Sequence, residues 1–216
     1  MNSVATVRSL QQRITEMQPL RIDDRLLPTA PGLRQLLPEG ALRRGASYAV
    51  LGSQQLALAL LAEASSAGSW CGVIGCPAFG AEAAAALGIA LDRCVLVPHP
   101  GPGALGLAAA LSEVLTVVLL RPDAPPRLGE VERFSARLRE HGSALVALGD
   151  WPRAECTLRV SASRWRGLGR GHGLLEEREL AVQTLDRRGA KQHIVRFTGG
   201  TVADPETSTV RRLAHR

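Results

Sequence analysis

Apolar and polar positions fall into blocks along this chain, and the blocks change period. Val4, Val7, Leu10, Ile14 and Met17 recur at spacings of three and four, forming one stripe, so residues 3–18 are expected to be an amphipathic helix. The proline-rich run "PLRIDDRLLPTAPG" reads as a connector, which makes that helix an arm outside the main core. Such an arm packs either on its own domain or on another protomer or partner. From Gly32 the pattern becomes α/β. "ASYAVLG", "SWCGVIG", "DRCVLVP", "TVVLLRP" and "SALVALGD" read as strands. Between them "QQLALALLAEASSAG", "FGAEAAAALG", "GALGLAAALSE" and "RLGEVERFSARLREHG" read as helices, two of them stopped by Gly68 and Gly88. In the last helix Val131, Phe134 and Leu138 share one side and the charges take the other. This alternation predicts a mainly parallel central sheet with helices on both faces. The unbroken runs "VVLL" and "ALVAL" suit strands buried on both sides.

After Asp150 no helical period is left. Three strands are expected, at 156–162, about 178–187 and 191–198, joined by "GLGRGHG" and "RRG" and extending the sheet as antiparallel strands. The polar tail from Gly199, with its basic end, is expected to be mobile or ordered by a partner. The chain therefore divides into an arm with its connector (1–31), a core (32–198) and a tail (199–216).

Composition adds three constraints. The 26 basic and 20 acidic side chains give a net charge of +6, which permits a polyanionic partner without demonstrating one. Lys191 is the only lysine; every other basic residue is arginine. Cys71, Cys76, Cys94 and Cys156 form no CxxC pair and lie mostly in or beside apolar strand runs, so they read as buried free thiols in a reducing cytosol. No apolar signal core opens the chain and no run of about 18 apolar residues occurs, so a cytoplasmic protein without a membrane span is expected.

The junction "YAVLGSQQLALALL" is where a nucleotide-binding α/β protein would carry its phosphate loop. Such a loop surrounds phosphates with backbone N–H groups, places a Lys on them and a Ser or Thr on Mg²⁺. Here Gly52, Ser53, Gln54 and Gln55 lead directly into the helix, with no second glycine and no lysine. The segment reads as a tight strand-to-helix turn with Ser53 as N-cap, or else as an unusual nucleotide or anion site on the helix N-terminus. The strand "TVVLLRPD" ends in Arg121 and Pro122, where Mg²⁺ would require a carboxylate. No GxSxG elbow supports Ser-His-Asp chemistry. His99, among prolines, reads as a loop residue. His172 sits in "RGLGRGHG" near Arg164, Arg166 and Arg170, a glycine-rich loop that reads as a plain hairpin connection or as a contact for phosphates or an acidic surface. Arg211 and Arg212 in the tail are candidates for the same contact. Trp165 and Trp151 suit either base stacking or packing beneath the sheet. No catalytic residue, metal site or cofactor is expected.

Residues 32–200 resemble the RecA fold, and more narrowly the ImuA-type proteins of its P-loop-less actinobacterial ImuA′ branch. The approach "PGLRQLLPEGALRRGASYAVLG" is similar to the segment that leads into the first RecA core strand. "GSWCGVIG", "LGIALDRCVLVPHPGPGAL", "TVVLLRPD" and "RLREHGSALVALGDW" follow in RecA order. "CTLRVSASRW" and "RELAVQTLDRRGAKQHIVRFTGG" match the closing strands. The resemblance implies a non-catalytic accessory protein of a damage-inducible (SOS) translesion mutasome. Its implied partners are ImuB, a Y-family polymerase-like protein, and through it an error-prone C-family polymerase. Self-association and DNA contact are compatible with it. The RecA N-terminal helix docks on a neighbouring protomer, and the stripe Val4–Met17 would do the same here or bind ImuB. The alternative is a likeness to SulA, a RecA-like protein without an ATPase site that inhibits cell division by binding FtsZ.

Overall fold

All five apolar runs become strands, and four of them are buried almost throughout; the run at Cys94–Val97 forms the edge strand, only partly buried, with Leu96 exposed. In the computed structural model, residues 25–167, 176–204 and 211–212 are described, the last pair by backbone alone. The parallel strands are β1 (Ser47–Leu51), β2 (Cys71–Ile74), β3 (Cys94–Val97), β4 (Val117–Leu120), β5 (Ala144–Leu148) and the start of β6 (Cys156–Arg166). Every residue of β2, β4 and β5 is buried. β7 (Glu177–Asp186), β8 (Gly189–Thr198), β9 (Thr201–Val202) and β10 (Arg211–Arg212) continue the sheet antiparallel. The order is β10-β8-β7-β6-β1-β5-β4-β2-β3, with β9 also on β8. The expected architecture is therefore present: a mainly parallel sheet closed by antiparallel C-terminal strands.

Helices cover the parallel part on both faces. The described helices are α1 (Pro31–Arg34), α2 (Gln54–Ser66), α3 (Ala81–Leu87), α4 (Ala104–Leu111) and α5 (Leu128–His141). On one face α2 buries nine of its thirteen residues, among them Leu56, Leu60 and Leu61. A leucine buried in this way contributes about 2 kcal/mol. On the other face Ala104 and Ala108 of α4 join Val131, Phe134 and Leu138 of α5 over Ile74, Val118, Leu120 and Leu145. The helix stops are where glycine is required. Gly88 and Gly142 adopt left-handed backbone at φ 103° and 65°, closing α3 and α5.

Three segments differ from expectation. β6 runs to Arg166 rather than to 162, because residues beyond Arg159 pair with β7 after β1 has ended. The two strands project past the C-terminal edge of the parallel sheet by about seven residues, roughly 20 Å, with a bulge between Val160 and Ala162. The connector is not wholly outside the core, since Leu27 and Thr29 are buried. Finally, the start of the tail is paired. Gly199 and Gly200, at φ 59° and 89°, turn the chain back so that Thr201–Val202 pair with β8. Ala203 then lies against Gly32, where a Cβ would stand 2.2 Å from its carbonyl oxygen; only glycine tolerates that approach.

Candidate functional site

The C-terminal edge of the parallel strands is where an α/β sheet binds ligands, and here that edge is closed by its own side chains. Only Gly52 and Ser53 separate β1 from α2. Two residues are too few to wrap N–H groups around a phosphate chain. Gly52 takes φ +87°, turning the strand sharply into the helix. Ser53 is extended, and its Oγ accepts the Leu56 N–H at 3.1 Å, so the hydroxyl caps the helix. The reading of this segment as a tight turn with a serine cap describes the observed geometry.

The two glutamines that follow are both engaged. Arg121, at the end of β4, donates from Nη2 to Gln54 Oε1 at 3.3 Å, and Gln54 Nε2 donates to the Ala78 carbonyl at 3.3 Å. Arg178 of β7 donates from Nη1 to Gln55 Oε1 at 2.8 Å and from Nε to Ser163 Oγ at 3.0 Å. Its guanidinium lies over the Trp165 ring, 5.1 Å from the centroid. The first turn of α2 is thereby tied to β4 on one side and to the projecting β6–β7 pair on the other. A shallow cleft lined by Gly52, Ser53, Gln54, Arg121, Gly149 and Asp150 remains between them. Arg121 brings positive charge to the place where a metal-holding carboxylate would be needed. No sequence pattern pointed to these two glutamine–arginine contacts, which join residues 67 and 123 positions apart. The sequence shows only that Arg121 replaces an acid.

Replacing Gly52 tests the turn directly. A Cβ there would meet Val160 at an ordinary 3.4 Å, so the cost arises from the left-handed backbone rather than a clash. Gly52→Ala is expected to lower stability by about 1–2 kcal/mol, read by denaturant midpoint, with the secondary structure unchanged.

The other candidate residues fall in separate places. Arg164 and Arg166 lie on the projecting part of β6, both exposed, opposite Glu179 and Glu177 of β7. Arg166 reaches Glu179 at 3.7 Å, and Arg196 of β8 lies 3.4 Å from Glu179 and 3.6 Å from Glu177. This surface is a lattice of alternating charge rather than a bare basic patch. Trp165 is half exposed, whereas Trp151 packs in the core, edge-on to Phe134. Arg211 and Arg212 form β10 beside Gln192 and Lys191, near the opposite end of β8 from Arg196. Arg170 and His172, and the stripe Val4, Val7, Leu10, Ile14 and Met17, lie outside the described residues. The cysteines are free; Cys71, Cys76 and Cys156 are buried and Cys94 partly so. Burial pushes all four thiols up, Cys71 to about 11 and Cys156 to about 12, which keeps them protonated and unreactive near neutrality. Among the described residues no three His, Cys, Asp or Glu side chains gather as a metal site, and no helix is long and apolar enough to cross a membrane.

Comparison with known proteins places this architecture. The crystal structure of the RadB recombinase superposes with a TM-score of 0.57 at 14% identity, over 81% of this chain and 97% of that one. At that identity the likeness establishes the RecA fold alone. The uncharacterized protein Rv3395c of Mycobacterium tuberculosis is 30% identical over 135 residues, 62% of this chain. The aligned region spans 60% of that relative's length. A family model, the MT3502 N-terminal domain, matches residues 35–153, which run from the approach to β1 through the turn after β5. Because that match takes in more than half of the chain, the protein belongs to the MT3502 N-terminal domain family.

Proposed function

We propose that this protein is a pseudo-ATPase, a RecA-fold module that neither binds nor hydrolyses nucleotide and works as an accessory or scaffold protein. The observation that carries the reading is the use of Gln54, Gln55 and Arg121 as internal hydrogen-bonding partners at the edge where phosphates would sit. A RecA fold and a mycobacterial relative are compatible with a DNA-related accessory role. The finer assignment is the ImuA′-type role in the damage-inducible translesion mutasome. In it the protein joins ImuB and, through ImuB, the error-prone C-family polymerase. The order of segments in residues 32–200 supports it, together with the missing phosphate loop.

Two measurements test this. Calorimetric titration with ATP and Mg²⁺ is expected to give no binding below millimolar concentration, and steady-state assays no hydrolysis. Co-purification with ImuB is expected from the full chain. Its loss on removing residues 1–20 or 199–216 would locate the contact. Micromolar ATP affinity would overturn the pseudo-ATPase reading. Failure to capture ImuB, combined with filamentous cells on overexpression and blocked FtsZ polymerisation, would replace the mutasome role with the SulA-like one. DNA retained through Arg164 and Arg166 should be released steeply by salt.

A further inference from the structure

Beyond Arg159 the strand β6 loses its neighbour on one side. β1 ends at Leu51, opposite Arg159, and Gly52 turns the chain away into α2. Ser161–Arg166 continues beside β7 alone, and each of these six residues is exposed, as is Gly52 beneath the gap. Among the described residues no strand occupies that edge. The Arg166 carbonyl accepts the Glu176 N–H at 3.1 Å, so Arg166 turns its backbone groups toward β7. Alternation along the strand turns Arg164 the same way and leaves the N–H and C=O of Ser163 and Trp165 pointing outward. Such a row of unpaired groups is a template for another extended chain. Phosphate oxygens only accept hydrogen bonds and cannot answer the two carbonyls, whereas a peptide strand supplies both donors and acceptors.

The side chains along this edge specify the charge of that chain. β6 carries three arginines and no acid. Arg164 and Arg166 lie on one face of the projecting ribbon, Ser163 and Trp165 on the other. Among the described residues Arg164 has no carboxylate within ion-pair distance. Arg166 has only Glu179 at 3.7 Å, which Arg196 approaches more closely at 3.4 Å. On the Trp165 side, Arg178 is held by Gln55 and Ser163 and stacks on the indole, again with no carboxylate partner among the described residues. Desolvation pulls its pKa down, the mark of a positive charge that the fold leaves unbalanced. Exposed tryptophan beside arginine is also the composition of interface hot spots. A second copy of the strand would set arginine against arginine, so the charge pattern selects a different, acidic chain.

We propose that the free edge of β6, Ser161–Arg166, receives an extended acidic segment of a partner protein as an added strand. Acidic side chains two residues apart face Arg164 and Arg166, and the apolar residue between them lies beside Trp165. The inference goes beyond the accessory role and is independent of any mutasome partner.

Titrating the full chain into a short, capped, fluorescently labelled peptide in which glutamate and valine alternate tests it, with anisotropy as the readout. Saturable binding at sub-millimolar concentration is expected. Arg164→Glu with Arg166→Glu should weaken it at least about tenfold and create affinity for the matching lysine–valine peptide, a gain that a misfolded variant could not show. N-methylating one alternate set of peptide residues should abolish binding, and N-methylating the other set should leave it intact, because only every second amide of an added strand faces β6. No saturable binding, or equal loss with both N-methylated sets, would overturn the proposal. So would binding that survives the charge reversal. An oligothymidylate that binds this edge while the peptide does not would assign it to nucleic acid. Self-association lost on the same charge reversal would assign it to a second copy. Either result refutes the proposal.

Discussion

Raising the pH from 9 to 11 is expected to remove on the order of 5 kcal/mol of stability, a large share of what a domain of this size possesses. The cause is a set of acids whose protons the fold retains. Desolvation raises the Cys156 thiol from 9.0 to about 12, with nearby Asp186 adding to it, and the Cys71 thiol from 9.0 to about 11. Desolvation likewise raises the Tyr48 hydroxyl from 10.0 to about 12. Each of these groups has a folded pKa above its unfolded value. Its contribution is therefore complete below pH 9 for the thiols and below pH 10 for the tyrosine. It is lost as pH rises toward the folded values, because the unfolded chain releases protons that the native state keeps. One group costs about 1.4 kcal/mol per pH unit over that window. Denaturant midpoints measured in reducing buffer from pH 8 to 11 should fall with a slope of two to three protons near the upper end. Cys156→Ala should make the curve shallower by one proton while lowering the starting point. A midpoint that stays level to pH 10.5 would show that these groups open to solvent before the fold is lost.

Phe134→Ala is expected to destabilise the protein by about 3–5 kcal/mol and to loosen α5. Phe134 is one of three residues by which the otherwise charged α5 is held to the sheet, with Val131 and Leu138. Its ring meets Trp151 edge to face, with centroids 5.8 Å apart and planes at 75°, an arrangement the ring quadrupoles favour. Removing it leaves a cavity between α4, α5 and the turn after β5 that the sheet cannot close. The paired change behaves differently. Trp151 Nε1 is buried and donates to no acceptor among the described residues. Trp151→Phe removes that unsatisfied donor and keeps most of the aromatic contact, so a loss below about 1.5 kcal/mol is expected. Thermal unfolding of both variants checks the contrast. Equal losses would refute the contrast, because Trp151→Phe removes much less volume than Phe134→Ala.

Much of the parallel half could be read from residue patterns. Runs such as Val117–Leu120 and Ala144–Leu148 are apolar without interruption, a pattern that strands covered on both faces require. The glycines that follow α2 and α3, Gly68 and Gly88, and the turn glycine Gly52 were legible because left-handed backbone selects glycine. Periodicity did less well where burial stops. Ser161–Arg166 is exposed along both faces of a projecting strand, so no alternation marks it and β6 reads short. β9 comprises only two residues, and its pairing depends on β8 arriving beside it.

The candidate site divides in the same way. That the phosphate loop is absent follows from local facts: one lysine far away, no second glycine, and an arginine where a carboxylate is needed. What replaced it does not follow from them. The order β4-β5-β1-β6 brings Arg121 to Gln54, and the rise of β7 beyond the sheet edge brings Arg178 to Gln55. Likewise, the chain's own pattern shows α4 to be apolar on every side, but only the packing of α5 beside it leaves one of those sides open as a groove. Local chemistry follows from neighbours in the chain, because burial and backbone preference act over a few residues. Contacts between polar side chains more than sixty residues apart have no periodic signature, and only the assembled sheet decides them.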